Sequence, residues 1–256
     1  MSSPVKISTV IITLNEEANI QRCIDSVKDI VDEIVVVDSF SSDRTPEICK
    51  ENQVTFIQHK FEGYVEQINY ALTQATHNHV LSLDADESLS EAARKKVRAV
   101  KENWEYDGYQ FNRLTNYCGK WIRHCGWYPD KKVRLFDRTK AQWGGENPHY
   151  RVMLEKEQIK YLNVDMLHYS FPSITSHAQT ANNFSTIAAN EAIKKGKKAS
   201  FLVHVLLNPP FTFFKKYFFQ LGFLDGFYGW VVCVLSAYSN FLKYVKIWSY
   251  QKYSRF

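Results

Sequence analysis

The amino-acid sequence predicts an α/β fold with a mostly parallel sheet flanked by helices, followed by a helical extension rich in aromatic and basic residues. Short apolar runs alternate with amphipathic segments at the spacing of βαβ units, which predicts the parallel sheet. Polar, mostly acidic residues follow three of these runs. Nearly half of the aromatic residues lie after residue 200, which sets the extension apart from the rest of the chain.

The β-branched run Ile7–Thr13 predicts the first buried strand. An amphipathic helix is expected over Ala18–Val27, with Asn15 as its cap. A second strand is expected over Glu33–Val37, and Thr45–Pro46 has the cap-then-proline order of a helix start. The following elements are a third strand, a helix, a fourth strand and a helix that begins near Ser90; the first three are expected over Val54–Gln58, Tyr64–Ala75 and Val80–Leu83.

The fourth strand runs into three acids, Asp84, Asp86 and Glu87. Right-handed crossovers would align the strands in parallel, with Asn15, Asp38 and Asp84 along one edge, where open α/β sheets bind ligands. A strictly extended backbone would point Asp84 and Asp86 to one face. Clustered carboxylates need a compensating cation, and Mg²⁺ or Mn²⁺ held partly by substrate phosphate fits this need. The alternative is a solvated acidic turn that caps the next helix.

A nucleotide site accounts for the acid-bearing loops together. Asp38 could accept a hydrogen bond from a base N–H, and Asp84 from ribose hydroxyls, while Asp86 would hold the metal against a diphosphate. The chain lacks G-x-G-x-x-G and G-x-x-x-x-G-K-[ST], so neither a dinucleotide cofactor nor P-loop chemistry is indicated.

The motifs T-L-N-E-E, V-V-V-D-S-x-S-x-D-x-T and L-D-A-D-E, in this order and spacing, resemble family-2 glycosyltransferases with the GT-A, Rossmann-like fold. Later motifs resemble the branch that contains lipopolysaccharide-core glycosyltransferases: W-I-R-H-C-G-W-Y-P-D, R-L-F, L-H-Y-S and G-F-L-D-G. The resemblance implies an inverting sugar transfer from a nucleotide-sugar donor, by the fold's habits a UDP-sugar, with Mg²⁺ or Mn²⁺ and a cell-envelope glycolipid or saccharide acceptor. The expected donor contacts are Thr13, Asn15, Glu16, Asp38, Asp84 and Arg134, and the expected metal ligands are Asp86, Asp84 and His168. His168 could instead contact the diphosphate or be a satisfied structural histidine.

Sugar transfer needs a general base that takes the proton of the acceptor hydroxyl. The candidates are Asp130 in the W-Y-P-D loop, which is slightly favoured, and Glu146 in G-G-E-N-P-H. Related sequences usually carry a His-Glu pair near this point, whereas here His149 is followed by Tyr150. Either acid could instead be an ordinary turn residue.

The acceptor side is expected between two strands of a mixed extension, Gly108–Arg113 and Lys132–Phe136. The aromatic residues nearby are Trp121, Trp127, Tyr128 and Trp143. They could form a wall that stacks on sugar rings, with His149 as a further acceptor contact, or they could be core residues. His124, Arg123 and Arg134 are candidate diphosphate or acceptor contacts, and exposed arginine is the alternative for the last two.

The predicted domains are a catalytic domain over residues 1–170, with a nucleotide half (1–104) and an acceptor half (105–170), and a helical extension over 171–256. Ile174–Lys195 predicts a packed amphipathic helix. The uncharged stretch Phe227–Leu242 is shorter than the ~20 residues that span a membrane. Helices that lie on the membrane are therefore expected, with lysines at the headgroups: Lys215, Lys216, Lys243 and Lys246. The alternative is packing on the catalytic domain or on a dimer partner.

The net charge of +5 is concentrated in the extension, which has ten Lys/Arg and one acid from Ala192 onward. This pattern favours an anionic membrane surface as a partner and gives no reason to expect nucleic acid. Five cysteines without metal-type spacing, and an N-terminus that enters a strand directly, favour a cytoplasmic protein at the inner face of the cytoplasmic membrane.

Two other functions were weighed against glycosyl transfer. A D-x-D phosphatase would place the motif on its first core strand, with Asp84 as the nucleophile, whereas here three βα units precede it. A non-catalytic sugar- or membrane-binding module on a degenerate transferase fold is favoured only by the missing His-Glu pair.

Overall fold

The computed structural model of the chain describes residues 3–145 and 150–254 and divides into two compact units. Unit 1 comprises Met1–Leu114 and Asp130–Tyr169, and unit 2 comprises Thr115–Pro129 and Ser170–Phe256. The predicted catalytic domain (residues 1–170) and extension (171–256) are functional divisions of the chain, and they stay predictions.

Unit 1 is built on a sheet whose first half is parallel. Its strands are β1 (Ile7–Thr13), β2 (Glu33–Asp38), β3 (Thr55–Gln58), β4 (His79–Asp84), β5 (Glu87–Leu89), β6 (Gly108–Tyr117), β8 (Asp130–Asp137) and β11 (Ile159–Phe171). Their spatial order is β3-β2-β1-β4-β8-β6-β11-β5. The short strands β9 (Trp143–Gly144) and β10 (Arg151–Val152) pair separately.

The register of the parallel strands places polar residues at one edge. Strand β1 pairs in parallel with both β2 and β4, with Thr13 opposite Asp38 and Ile12 opposite Asp84. Asp38 and Asp84 therefore flank the carboxyl end of β1, as the spacing of the βα units predicts. The predicted fold class is confirmed.

The helices of unit 1 are α1 (Ile20–Val27), α2 (Thr45–Glu51), α3 (Tyr64–Gln74) and α4 (Glu91–Glu102). They bury apolar faces against the sheet, and the thiols of Cys23 and Cys49 are fully buried, as expected of small hydrophobic residues. Ser90 caps α4 by accepting a hydrogen bond from the Ala93 N–H (3.2 Å).

The predicted capping of α1 by Asn15 is wrong. That helix begins after Asn19, and the Asn15 side chain instead accepts from the Ser42 N–H in the neighbouring loop (2.8 Å). Thr45 is likewise the first residue of α2 rather than its cap, and its hydroxyl accepts from the Glu16 N–H. In both cases the side-chain oxygen that the sequence pattern predicted to cap a helix instead accepts a hydrogen bond from a neighbouring loop.

Unit 2 consists mainly of helices. Strand β7 (Lys120–Ile122) pairs with the end of β6, and α5 (Ile174–Lys194) packs against the long helix α7 (Gly226–Tyr253). Between them lie π-helical segments at Phe201–Leu207 and Lys215–Phe219, the helix α6 (Asn208–Phe214), and a 3₁₀ turn at Gly222–Asp225.

A buried carboxylate, that of Asp225, joins two segments of unit 2 by hydrogen bonds. The side chain of Asp225 accepts hydrogen bonds from the backbone N–H (2.8 Å) and the ring Nδ1 (2.9 Å) of His124 and from the Arg123 N–H. Asp225 is 4% exposed. These bonds join the segment before α7 to the loop after β7, which gives His124 a structural role. The diphosphate or acceptor contact predicted for His124 stays a prediction.

Among the described residues, no single helix is long and apolar enough to cross a bilayer. One bent pair, residues 201–219 and 222–253 meeting at 73°, passes the length and composition criteria jointly.

Candidate functional site

The loops after β1 and β2 are joined by hydrogen bonds from the backbone of one loop to side chains of the other. The N–H groups of Asn15, Glu16 and Glu17 donate to Ser41 (2.7 Å), Thr45 (2.9 Å) and Asp43 (2.9 Å), respectively. The loop that holds the predicted donor contacts Asn15 and Glu16 is thereby fixed against the loop that follows Asp38.

Asp38 is fully buried at the end of β2, and its carboxylate shapes the loop that follows. It accepts hydrogen bonds from the Ser41 N–H (2.9 Å) and from the Gln58 amide (3.3 Å). Thr13 lies opposite, and its buried hydroxyl has no hydrogen-bond partner within residues 3–145 and 150–254. The roles of both residues in donor binding stay predictions.

Arg134 joins two of the three acids that end the fourth strand. Its Nη2 atom lies 2.7 Å from Asp84 Oδ2 and 2.6 Å from Glu87 Oε1. Arg134 is 2% exposed, the Glu87 side chain 0% and the Asp84 side chain 21%. Burial lowers the pKa of Arg134, but the two carboxylates raise it above its ordinary value, so the guanidinium is charged.

Asp86 pairs with the predicted third metal ligand. Its Oδ2 atom lies 3.1 Å from His168 Nε2. Strands β5 and β11 are antiparallel, with His168 opposite Glu87, and this register brings the histidine to the acidic motif. Burial raises the pKa of Asp86, but His168 and the guanidinium groups of Arg113 and Arg134 lower it below its ordinary value. The carboxylate is therefore ionised and available to a cation.

The predicted extended path through Asp84 and Asp86 is wrong, because β4 ends at Asp84 and residues 85–86 form a turn. Asp84 consequently contacts Arg134, while Asp86 contacts His168. Among the described residues, no group of three or more His, Cys, Asp or Glu side chains could hold a metal.

The pair of Asp86 and His168 nevertheless fits a metal bound jointly with substrate. Mg²⁺ commonly uses one or two protein carboxylates and takes its other ligands from phosphate and water. Adjacent ligands of an octahedral ion at ~2.1 Å are about 3 Å apart. The Asp86 and His168 atoms, 3.1 Å apart, match that separation.

The candidate base Asp130 is held by two cations. Arg113 donates to its Oδ2 atom through Nε (2.9 Å) and Nη2 (2.7 Å), and Lys132 lies 3.2 Å from Oδ1. Burial raises the pKa of Asp130, but these two cations lower it below its ordinary value. The carboxylate is ionised, as a base must be, and the same cations reduce its affinity for a proton.

An aromatic cluster in unit 1 lies beside Arg134. The rings of Tyr64 and Tyr150 stack with their centroids 5.7 Å apart, and Trp143 contacts Tyr150. The Arg134 guanidinium lies 5.3 Å from the Trp143 ring centroid. Burial raises the pKa of the Tyr150 hydroxyl, and the charge of Asp84 raises it further. Tyr64 is 47% exposed, so this cluster offers an open ring next to the acids.

The predicted acceptor residues are divided between the units. Trp127 packs in the core of unit 2 against Tyr117 and His177, so it belongs to the core. Trp121 lies on β7, and the Tyr128 ring lies 5.3 Å from the Arg123 guanidinium in the same unit. The predictions for Glu146 and His149 fall outside the described residues.

Two residues of this site, Glu87 and Arg113, are not among the functional candidates predicted from the sequence. Glu87 was noted only as the third acid, yet it is the most buried carboxylate of the cluster. Burial raises its pKa, and Arg134 opposes that rise. An acid directly after D-x-D and an arginine ending a predicted strand were the available signals.

Comparison with known proteins relates the chain to one enzyme family. Residues 8–158 match the model of a family described as Glycosyl transferase family 2. An uncharacterized glycosyltransferase of Rickettsia typhi is 33% identical over 253 residues, covering 94% of this chain and 86% of that protein. The lipopolysaccharide core biosynthesis glycosyltransferase LpsC of Rhizobium meliloti is 26% identical, covering 99% of this chain and 95% of that protein.

Among solved structures, the chain is similar to the mannosyltransferase PcManGT from Pyrobaculum calidifontis in complex with GDP-Man and Mn²⁺. The TM-score is 0.49 at 18% identity, and the similarity covers 93% of this chain and 74% of that one.

Proposed function

The chain belongs to glycosyl transferase family 2, and we propose that it moves a sugar from a nucleotide-sugar donor to a cell-envelope glycolipid with inversion at the anomeric carbon. The observation that carries the proposal is the pair of Asp86 and His168 beside the acids held by Arg134, at the carboxyl end of parallel strands. Such a site offers ionised oxygen and imidazole ligands next to buried cations, which suits a metal and a diphosphate.

We assign the donor, a UDP-sugar, to the edge formed by the loops after β1, β2 and β4. Asp38 accepts from the base and Asp84 from the ribose, while Thr13, Asn15 and Glu16 line the nucleotide. The unpartnered hydroxyl of Thr13 supports this assignment, because a buried polar atom without a partner among the described residues is costly unless a ligand supplies one. Arg134 supplies positive charge toward the diphosphate.

Transfer begins when the acceptor hydroxyl oxygen attacks the anomeric carbon of the donor. The bond from that carbon to the diphosphate oxygen breaks, and the carboxylate of Asp130, or of Glu146, takes the hydroxyl proton. The nucleoside diphosphate leaves with the electron pair of the broken bond. The guanidinium groups of Arg113 and Arg134 stabilise the negative charge that develops on it.

Asp86 and His168 would hold the divalent metal ion, Mg²⁺ or Mn²⁺. When bound, the ion acts as a Lewis acid toward the diphosphate oxygens. Asp84 serves the donor rather than the ion in this assignment, since its carboxylate is paired with Arg134.

The acceptor assignment rests on the relative LpsC, whose name refers to the lipopolysaccharide core, and on the charge of unit 2. Saccharide contacts by Trp121, Tyr128 and His149 are part of this proposal. Trp143 is left out because it is 4% exposed and packs in the core of unit 1. The protein would work at the anionic inner face of the cytoplasmic membrane, where a glycolipid acceptor is presented.

Isothermal titration of the purified protein with UDP, GDP and ADP, each with and without Mn²⁺, tests the donor site. We expect one diphosphate, UDP, to bind with an affinity that Mn²⁺ raises at least ~10-fold, because the metal and the diphosphate compensate each other's charge. Folded protein that binds no nucleoside diphosphate under any condition would overturn the proposal and favour the non-catalytic module.

The pH dependence of transfer tests Asp130 as the base. Arg113 and Lys132 hold the pKa of Asp130 below its ordinary value of ~3.9, so this carboxylate stays ionised between about pH 5 and 8. We therefore expect no fall in kcat/KM from protonation of Asp130 in that range. We expect Asp130→Asn to lower kcat by ~10²-fold or more at every pH in that range. A fall in kcat/KM toward low pH within that range, seen equally in the wild type and in Asp130→Asn with kcat little changed, would assign the base elsewhere.

A further inference from the structure

The helical segments in residues 201–230 carry many large apolar side chains that are exposed to solvent. We call this surface the apolar face. The most exposed of them are Phe219 (82%), Phe227 (64%), Phe211 (63%) and Leu202 (62%). The others are Phe201, Val203, Leu206, Leu207, Phe214, Phe218, Leu221, Phe223, Leu224 and Trp230. So many large apolar side chains exposed within thirty residues indicate an interaction site.

The apolar face is one side of packed helices rather than a loose segment. Val205 and Pro209 are buried on the opposite side, and α6 packs against α7. The 3₁₀ turn follows Leu221, which has a left-handed backbone (φ 55°), and the chain bends there by 73°. The fold therefore holds these side chains outward on both arms of a bend.

Most of the charged residues in and directly before the apolar face are lysines, and Glu191, the acid before them, is paired with Lys194 (3.2 Å). Lys194, Lys197 and Lys198 are exposed directly before it, and Lys215 is exposed within it. Within the described part of the segment from Ala192 onward, the one acidic residue is Asp225, which is buried and bonded to His124. A surface that combines apolar side chains with an excess of lysines over acids complements an anionic lipid bilayer.

Two lysines predicted to lie at the headgroups are used inside unit 2. The ammonium of Lys246 donates to Asn182, Ser185 and Thr186 on α5 at 2.7–3.2 Å. Lys216 donates to the Cys125 carbonyl (2.8 Å). Lys243, 5.1 Å from the Tyr244 ring centroid, stays a predicted headgroup contact. The exposed lysines nearest the apolar face in the chain are Lys215 and those at the end of α5 and directly after it.

We propose that the apolar face inserts into the acyl-chain boundary of an anionic bilayer, with the lysines at residues 194–198 at the level of the phosphates. Interfacial helices bury their apolar side by about 5–10 Å, so the phenylalanines reach below the headgroups instead of lying among them. Insertion gives a physical basis for the membrane location in the proposed function. It rests on that proposed function only for its purpose, which is access to a glycolipid acceptor.

A second copy of the chain is the competing occupant of the apolar face. Symmetric pairing would bring the same exposed lysines toward one another. The acids in residues 170–254 are the buried Asp225 and Glu191, which is already paired with Lys194, so neither would compensate Lys197, Lys198 and Lys215. Charge complementarity therefore favours lipid over self-association.

Vesicle flotation without donor or metal tests the insertion. The wild type is expected to float with phosphatidylcholine vesicles that contain phosphatidylglycerol and much less with phosphatidylcholine alone. The double substitution Phe211→Ser/Phe219→Ser should lower the bound-to-free ratio at least ~10-fold, because two apolar side chains no longer leave water. Phe40→Ser, which changes a phenylalanine of similar exposure (59%) in unit 1, is the matched control and should float like the wild type.

The double substitution Lys197→Glu/Lys198→Glu tests the contribution of the lysines and should reduce flotation with the anionic vesicles several-fold. It also tests the proposal if the phenylalanine variant fails to fold. Equal flotation of the folded phenylalanine variant and the wild type would overturn the proposal. So would a wild-type dimer, seen by light scattering, that Phe211→Ser/Phe219→Ser converts to a monomer while flotation is unchanged. Asp86→Asn should float normally, so a failed donor site and a failed insertion give different results.

Discussion

Replacement of Asp86 by asparagine is expected to lower sugar transfer by about 10³-fold or more at saturating donor. The amide keeps the size of the side chain but removes the negative charge that the metal requires. Loss of several kcal/mol of charge stabilisation on the departing diphosphate corresponds to this factor. The His168 ring, 3.1 Å away in the wild type, would remain as a single protein ligand.

A binding measurement separates this role from a general effect on folding. In Asp86→Asn the ratio of UDP affinities with and without Mn²⁺ should fall to about one, while UDP binding without metal changes little. Asp137→Asn removes the same charge at the far end of β8, opposite His79, and should behave like the wild type. Metal-dependent UDP binding that persists in Asp86→Asn would show that other residues hold the ion.

Replacement of Arg134 by methionine is expected to destabilise the protein by about 3–5 kcal/mol at neutral pH. Removing one partner of a buried ion pair leaves an uncompensated buried charge, and the side chain of Glu87 is fully buried. The free energy of unfolding in urea measures the loss. Arg98→Met, which removes a half-exposed arginine paired with Asp29 on the surface, should cost at most ~1 kcal/mol.

The size of this loss should depend on pH, because Glu87 can take up a proton. Burial raises its pKa, and loss of the Arg134 charge raises it further. A carboxyl group whose pKa is higher in the folded than in the unfolded chain contributes stability that is full below the unfolded pKa, ~4.3, and is lost as the pH rises through the folded pKa. The difference in unfolding free energy between the wild type and Arg134→Met should therefore shrink from neutral pH toward pH ~4.

A second substitution provides the control for this explanation. In Arg134→Met/Glu87→Gln the buried charge is gone together with its partner, so part of the lost stability should return. Two results would contradict the assignment. One is a loss of unfolding free energy in Arg134→Met that does not depend on pH. The other is a loss in the double variant equal to the sum of the losses in the two single variants.

The parallel half of the fold could be predicted from the sequence because its signals are local. Strand β1 coincides with the predicted range, and the predicted edge holds Asp38 and Asp84. The path after Asp84 could not be predicted in the same way. A two-residue turn precedes β5, and the strand that pairs with β5 lies about eighty residues later in the chain.

The ion pairs of the site could not be predicted from the sequence, because their partners also lie far apart in the chain. Arg134 and Glu87 are 47 positions apart, and Arg113 and Asp130 are 17 apart. Their contacts depend on the antiparallel register of β8 against β4 and β6, which includes an irregularity at Tyr109 and Gln110. Residue periodicity carries no information on such a register.

The internal use of Lys246 has a similar origin. The pattern of basic and aromatic residues predicted a headgroup contact for this lysine, but its partners are oxygen atoms on α5. A polar stripe on a neighbouring helix becomes a binding site for an ammonium group only after the two helices pack.

The hydrogen bonds between the loops after β1 and β2 have a consequence for how donor choice can change. Backbone N–H groups of one loop are satisfied by side chains of the other, namely Ser41, Asp43 and Thr45. A single substitution in the second loop would therefore orphan an amide in the first and shift the residues around the nucleotide. Exchange of nucleotide preference by engineering or by evolution would have to proceed through coordinated replacements, with residues 14–17 and 39–45 transplanted together as one cassette.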